Sequence, residues 1–151
     1  HSGYYDSYGT EHHFQINQAT AAHNTITVDT KGQKTQDMTA DGSLTGYLTH
    51  LDFDLAMGDA TPAYKGALGK FERAVIYVRP DMFVVVDDLE GAGDRKSRFE
   101  FWLNTPKKAE AYEGGNGARL TNEGSVLDAT VHYPRKVNTY YNNIHAGSHP
   151  C

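Results

Sequence analysis

Residues 74–86 read AVIYVRPDMFVVV, and this stretch decides the fold class. Two runs of β-branched and aromatic residues flank the segment Arg79-Pro80-Asp81. Because Pro followed by Asp is a common turn signal, the stretch predicts a β-hairpin. The unbroken run Val84-Val85-Val86 predicts a strand that is buried on both faces, between two sheets and not at an edge. Asp87-Asp88 is expected to end that strand, with Arg73 as a countercharge.

Short strand patterns separated by Gly, Asn and Asp continue on both sides of the hairpin. Apolar residues at helical spacing are scarce, and one helical turn is predicted at 62–68, where Pro62 can occupy the first position. Gly32 is expected to supply a positive φ in the turn at 29–32, and 112–117 is too rich in Gly to be anything but a turn. The predicted strands are 25–28, 44–48, 50–55, 74–78, 83–86, 98–103 and 126–133. This pattern favours an all-β fold, an antiparallel β-sandwich, over a small closed barrel.

Composition limits the classes of protein that the chain can belong to. Its 151 residues predict one domain, 1–151, and a single Cys excludes a disulfide scaffold. No window is apolar enough for a membrane helix. A net charge of −5 with scattered basic residues argues against nucleic acid, so any anionic ligand needs a local site. The chain has no initiator Met and opens on His1-Ser2-Gly3, which predicts a fragment of a longer protein.

The N-terminal segment carries the densest set of titratable side chains. Three tyrosines and three histidines fall within residues 3–23, before the first strand pattern: Tyr4, Tyr5, Tyr8, His12, His13 and His23. A loop of this composition is a candidate site, because loops present side chains that strands bury. The alternative is that these rings only cover a surface or an interface. No Gly-x-Ser-x-Gly elbow or phosphate-binding loop occurs.

His23 stands directly before an apolar strand pattern, where an inward imidazole needs a partner or a metal ion. One His is not a zinc site, since structural zinc takes four ligands and catalytic zinc three plus water. The closely spaced carboxylates read more simply as a solvated strand face or a turn than as a pair of glycosidase acids; they are Asp52, Asp54, Asp59, Asp87 and Asp88.

Several blocks, in order, resemble the heparinase II/III-like domain of polysaccharide lyases, the group that includes heparinases and oligoalginate lyases. They are YYDSYGTEHH at 4–13, TAAHNTITVD at 20–29, FERAVIYVRPD at 71–81, FVVVDDL at 83–89 and FWL at 101–103. The resemblance covers most of residues 3–104. It implies the β-sandwich part of a larger enzyme, whose N-terminal helical toroid packs on the sandwich and holds the substrate in the cleft between them.

The resemblance also implies an activity and a set of site residues. Such lyases cleave uronic-acid-containing acidic polysaccharides by β-elimination, and the isolated sandwich is expected to be inactive. Tyr8 corresponds to the catalytic Tyr of the sandwich loop, with Tyr5 as the other candidate. The predicted substrate-binding residues are Tyr4, His12 and His13. A periplasmic or secreted location and no membrane or nucleic-acid partner are further expectations.

A structural zinc ion is implied by the same resemblance. His23 corresponds to the family's zinc-binding His. His1 stands where the family has an Asp ligand, so His1 is a ligand in its place, a remnant of cloning, or a sign that this member binds no metal. A further His ligand of the family lies upstream of this chain.

Two other readings of the sequence remain open. One is a noncatalytic carbohydrate-binding sandwich, in which Tyr4, Tyr5 and Tyr8 stack on sugar rings. The other is a purely structural sandwich with a Tyr-rich surface. Convergence of Tyr8 and His23 on one cleft would favour catalysis, because acid-base chemistry needs groups within hydrogen-bond reach.

Overall fold

The computed structural model describes residues 8–105, 107, 109–134 and 137. Its secondary structure is mostly antiparallel β-sheet, which confirms the predicted all-β class. The chain divides into two compact units, Gln18–Trp102 and a second unit formed by His1–Asn17 with Leu103–Cys151. Within the described residues, no helix is both long enough and apolar enough to cross a bilayer.

The strands of the described residues form three sheets. In chain order they are β1 (Ile26–Val28), β2 (Ser43–Thr49), β3 (Phe53–Asp59), β4 (Leu68–Val78), β5 (Met82–Gly91), β6 (Phe99–Phe101), β7 (Glu110–Ala111), β8 (Gly117–Asn122) and β9 (Ser125–Thr130). The unit Gln18–Trp102 holds the four-stranded sheet β2-β3-β4-β5 and the pair β1-β6. The other unit holds β7-β8-β9. Helical segments are short: His13–Asn17, Thr20–Ala22 and Thr61–Tyr64.

The core of the larger unit lies where β1 packs against the first half of β4. Ile26 and Val28 of β1 meet Leu68 and Phe71 of β4, and all four side chains are at most 3% exposed. Removing such side chains from water stabilises the fold by about 1.5–3 kcal/mol each. Two sheets therefore share one apolar layer here, in keeping with a sandwich.

Tyr64 joins the layers of this core. It ends the short 3-10 helix Thr61–Tyr64, is 1% exposed, and packs edge-on against Phe71 with ring centroids 5.6 Å apart. Its phenol donates a hydrogen bond of 2.7 Å to the carbonyl oxygen of Ile26. Burial raises the pKa of the Tyr64 phenol, which therefore stays a protonated donor.

An ion pair on the same face of the four-stranded sheet connects β4 and β5. Arg73 and Asp87 are opposite each other in the register, and the guanidinium binds both carboxylate oxygens, Nε to Oδ1 at 2.6 Å and the second nitrogen to Oδ2 at 2.8 Å. Arg73 also donates to the carbonyl oxygen of Asn24, 2.7 Å away. The predicted countercharge is confirmed, and it ties the sheet to the segment before β1.

The structure contradicts the prediction for the valine run. Among the described strands β5 pairs only with β4, so it is an edge strand, and Val84, Val85 and Val86 are 38%, 44% and 51% exposed. A run of Val gives a strand two apolar faces, but it does not show whether another layer of the protein covers them. The interior strands of this sheet are β3 and β4. The strand also continues past Asp87-Asp88 to Gly91, because Arg73 and Lys70 of β4 pair with those carboxylates.

Other parts of the predicted local structure also differ from the structure. The third strand begins at Phe53, not at residue 50, because His50 and Asp52 form the turn in which the His50 N–H donates to the Phe53 carbonyl. Strands β7 and β8 were not apparent from the sequence pattern. The predicted helical turn exists, but it spans Thr61–Tyr64 and not 62–68, since β4 begins at Leu68. The turn between β7 and β8 agrees with the prediction.

Gly32 is needed for close packing and not for a positive φ. The positive φ values of that turn belong to Asp29 and Thr30, at 49° and 67°. A Cβ on Gly32 would lie 2.2 Å from Oγ1 of Thr20, a distance that no side chain tolerates. The same Thr20 hydroxyl accepts a hydrogen bond of 2.7 Å from the Gln33 N–H, which holds the turn against the 3-10 helix Thr20–Ala22.

The sheet β7-β8-β9 carries an exposed polar cluster. Arg119 binds both oxygens of Asp128, at 2.7 and 2.8 Å, and the Tyr112 phenol donates to the same carboxylate. Hydrogen bonds from Arg119 and then Tyr112 lower the pKa of Asp128 to about 2. The hydrogen bond to Asp128 in turn raises the pKa of Tyr112.

We expect Tyr64→Phe to lower the free energy of unfolding by about 1–2 kcal/mol, because the Ile26 carbonyl loses its buried donor while the ring still fills the core. Urea denaturation of the two proteins measures this difference. The matched control is Tyr47→Phe on β2, whose side chain is 78% exposed and whose change should stay within about 0.5 kcal/mol. Equal stability of Tyr64→Phe and the unaltered protein would contradict the assigned role of this bond.

The carboxyl group of Asp128 should titrate near pH 2 in an NMR titration of the folded protein. Its pKa is below the unfolded value of about 3.9, so its contribution to stability is complete above that value and is lost as the pH falls toward 2. Arg119→Gln should raise the titration midpoint of Asp128 more than Tyr112→Phe does, and the control Lys96→Gln should leave this midpoint unchanged. A midpoint unaffected by Arg119→Gln would show that the ion pair does not form.

Candidate functional site

The segment from Tyr8 to Asn17, called the Tyr8 segment below, contains the described part of the candidate site. The residue pattern predicts a loop here, whereas the structure has a helical stretch that begins after Gly9 and takes π-helical form over His13–Asn17. Gly9 has a φ of 93°, a conformation that side-chain-bearing residues rarely adopt. This glycine lets the chain turn from Tyr8 into the helix.

Thr10 begins the helix by capping it. Its Oγ1 accepts a hydrogen bond from the His13 N–H at 3.2 Å, and its carbonyl accepts one from the Phe14 N–H at 3.2 Å. One turn further, the Gln15 amide donates to Glu11 Oε1 over 2.7 Å. A Thr whose hydroxyl binds the N–H three residues on is a frequent N-terminal cap. The cap fixes His13 relative to the start of the segment.

Three rings meet in this segment. The Tyr8 and His13 ring centroids are 4.8 Å apart, and Phe14 lies 5.2 Å from His13 and 6.2 Å from Tyr8. His13 is 3% exposed, whereas Tyr8 is 83% exposed. A phenol open to solvent therefore stands against a buried imidazole and the edge of an aromatic ring.

An exposed phenol is a group that can in principle exchange a proton with a bound molecule. The Tyr8 phenol can reach a ligand from solvent, and a phenol can act as general acid or, when ionised, as general base. The packing of Tyr8 on His13 limits the positions that its ring can take. A functional role is also in keeping with the helix form, since single π-helical turns often occur at functional sites.

The other residues assigned to this loop have different positions. His12 is half-buried and lies beside His13 on the helix. Tyr4 and Tyr5, as well as His1, lie outside the described residues, so their roles stay predictions. Phe14 and the helical cap were not predicted, although Thr10 followed by Glu11 in the first turn is a helix-start signal.

His23 belongs to the unit Gln18–Trp102, whereas Tyr8 belongs to the other unit. It follows the 3-10 helix Thr20–Ala22, and its N–H donates to the Thr20 carbonyl at 3.1 Å. The side chain is half-buried, and His23 lies three residues before Ile26, the first residue of β1. Convergence of His23 and Tyr8 on one cleft stays a prediction.

The described residues do not by themselves form a metal site. Nowhere in this part of the chain do three His, Cys, Asp or Glu side chains cluster with metal-binding geometry. His23 would supply one imidazole to such a site, and His1 lies outside the described residues. No chemical step is therefore assigned to a metal ion.

The carboxylates of the four-stranded sheet have structural partners. Asp54 pairs with Arg79 at 2.6 Å and Asp88 with Lys70 at 2.6 Å. Asp59 accepts a hydrogen bond of 2.8 Å from the Thr61 N–H, and hydrogen bonds from Thr61 lower its pKa. These contacts agree with the interpretation of the carboxylates as strand-face and turn residues.

The family described as heparinase II/III-like, C-terminal, matches residues 1–139, most of the chain. The chain belongs to the heparinase II/III-like family. Among curated proteins, no sequence matches it significantly. The matched range of this heparinase II/III-like chain includes the Tyr8 segment, His23 and the whole four-stranded sheet, so the predicted family is confirmed.

Proposed function

We propose that the chain is the β-sandwich part of a polysaccharide lyase, and that it cleaves uronic-acid-containing acidic polysaccharide by β-elimination with Tyr8 as general acid/base. Family membership supports the coarser part of this proposal, a lyase that acts on acidic polysaccharide. The observation that carries the finer part is the exposed Tyr8 phenol held against the buried His13 ring.

The reaction sets the requirements for the site. The C5–H bond of a uronate breaks, its electron pair forms the C4–C5 double bond, and the C4–O bond to the next sugar breaks. A base must take the C5 proton, and an acid must protonate the leaving oxygen. The uronate carboxylate must be neutralised so that negative charge can develop at C5. Tyr8 is proposed for the proton transfers.

Neighbouring residues support Tyr8 in this proposal. His13 positions the phenol through ring contact, and the capped helix holds His13 in place. Tyr4 and His12 are proposed to contact the sugar, and Tyr5 remains the other candidate for the catalytic Tyr. The expected sugar contact of His13 does not fit its burial, since only 3% of this residue is exposed, so its proposed role is to position Tyr8. The group that neutralises the carboxylate is assigned to an N-terminal helical domain of the same enzyme. A periplasmic or secreted location belongs to the same proposal.

A second candidate function also has support from one observation. A Tyr ring that is 83% exposed is available for stacking on a sugar ring, as in a noncatalytic carbohydrate-binding domain. The two functions differ in what the phenolic oxygen does. Stacking needs only the ring, whereas elimination needs the hydroxyl.

In the full-length protein that contains this chain, Tyr8→Phe should lower kcat by at least about a hundredfold, because proton transfer is lost, while substrate binding changes little. The ultraviolet absorbance of the unsaturated product measures turnover. Tyr47→Phe is the matched control, since Tyr47 is similarly exposed at 78% but lies on β2. Because Tyr8 is exposed, the substitution should leave the melting temperature unchanged.

Each result separates the candidate functions. Loss of turnover in Tyr8→Phe alone supports catalysis by the phenol. Unchanged turnover in both variants would refute the role of Tyr8 and direct attention to Tyr5. Absence of product from the unaltered full-length protein, together with sugar binding that survives Tyr8→Phe, would favour the noncatalytic domain.

We also propose that the full-length protein binds one structural zinc ion with His23 as a ligand, supported by the position of His23 before β1. Elemental analysis should find zinc in the unaltered protein and less in His23→Ala, with a lower melting temperature for the variant. His132→Ala on the other unit is the control and should keep its zinc. A protein without zinc, or equal zinc in both variants, would refute this assignment.

A further inference from the structure

A basic pocket in the unit Gln18–Trp102 has no part in the proposed mechanism. The cavity measures about 670 Å³. Its basic lining residues are Lys31, Lys34, Lys65 and Arg95, and none of the residues lining it is acidic. This concentration of positive charge is notable because the chain as a whole carries a net charge of −5.

The walls of the pocket are fixed by backbone contacts. On one side, the Gln33 N–H donates to the Thr20 hydroxyl at 2.7 Å, and Gly32 lies too close to Thr20 for any side chain. The Lys34 N–H donates to the Ala63 carbonyl at 3.0 Å, which joins this wall to the one formed by residues 64–67. The second wall continues from buried Tyr64. These two hydrogen bonds tie the loop 31–35 to the residues around Tyr64 and to the 3-10 helix Thr20–Ala22.

Most of the positive charge around the pocket is not neutralised by ion pairs. Within the described residues, Lys31, Lys34 and Lys65 have no carboxylate within ion-pair distance. Arg95 is the exception and binds Asp29 at 2.9 Å. Exposed cations without carboxylate partners can meet an incoming anion without first breaking a salt bridge.

Neutral oxygens hold one of these ammonium groups in place. Lys65 has a left-handed φ of 48° at the end of the 3-10 helix, and its Nζ donates to both the carbonyl and the hydroxyl of Thr39. Asp37 is the nearby acid whose pKa is lowered, first by hydrogen bonds from Thr39 and then by the charges of Lys65 and Lys34. Of the four cations, Arg95 is paired with Asp29, whereas Lys65 and Lys34 act on Asp37 from beyond ion-pair distance.

We propose that this basic pocket binds an anionic group of the acidic polysaccharide, a carboxylate or a sulfate ester on a sugar unit. The choice of a polysaccharide as the ligand rests on the proposed function. The expectation that the ligand is anionic rests only on the charge of the pocket. Its volume lies within the range of about 300–1,000 Å³ that is typical of small-ligand pockets, which leaves room for a sugar ring beside its charged group. A polysaccharide held here would contact residues other than those of the Tyr8 segment.

The test measures binding of polymers that cannot undergo β-elimination because they contain no uronate. The probes are dextran sulfate and carboxymethyl-dextran, with neutral dextran as the uncharged control, added to the full-length protein in a titration calorimeter. The variant is Lys31→Gln/Lys34→Gln, since neither side chain has an ion pair that the change would break. The matched control is Lys96→Gln/Lys107→Gln, which removes the same charge outside the pocket.

The pocket variant should bind both anionic polymers roughly tenfold more weakly, about threefold for each exposed charge, and its affinity should depend less on salt. The control variant should bind as the unaltered protein does, and neutral dextran should not bind. Equal weakening in the two double variants would overturn the proposal, because binding would then follow total charge. Equal binding of neutral and anionic dextran would overturn it as well.

A separate titration distinguishes a sugar-linked anion from a free one. Inorganic sulfate should compete no better than chloride at equal ionic strength. Full displacement of dextran sulfate by millimolar sulfate would overturn the proposal in favour of a site for small inorganic anions. These measurements are independent of turnover, so a protein that binds through Lys31 and Lys34 but yields no unsaturated product would refute the proposed function alone.

Discussion

The hydrogen bond from the buried Tyr64 phenol to the Ile26 carbonyl is the contact on which the larger unit depends. It links the 3-10 helix before β4 to β1, across the apolar layer that contains Phe71. His23 stands three residues before Ile26, and the walls of the basic pocket lie directly after β1 and directly after Tyr64. The packing of β1 and Tyr64 in the core therefore positions both His23 and the walls of the basic pocket.

Charge is distributed in two ways in this chain. On the four-stranded sheet, several acidic and basic groups are paired across strands, as Arg73 is with Asp87. Around the pocket, lysines lack such partners among the described residues. An acidic protein can in this way repel polyanions over most of its surface and still attract one anionic group locally.

The sequence predicted the features that depend on neighbouring residues. The hairpin at 74–86 follows from two β-rich runs and a Pro-Asp turn, and Arg73 and Asp87 meet because a hairpin places them opposite each other. The exposure of Val84–Val86 could not be predicted, since it depends on whether a second layer covers the strand. Lys31, Lys34, Lys65 and Arg95 are spread over much of the unit, and only the fold brings them to one pocket. In the Tyr8 segment, composition indicated a site, but the contact between Tyr8 and His13 depends on a helix that the pattern did not predict.

The central claim is that the Tyr8 phenol acts on the sugar that is cleaved. The most direct measurement is the crystal structure of the full-length Tyr8→Phe protein with a bound uronate oligosaccharide. We predict that C5 or the bridging oxygen of the scissile bond lies within about 4 Å of the ring at position 8, the distance from which a phenol could exchange a proton. An oligosaccharide bound with its scissile bond more than about 8 Å from that ring, in a protein whose unaltered form cleaves it, would contradict the account, since hydrogen-bond reach is shorter.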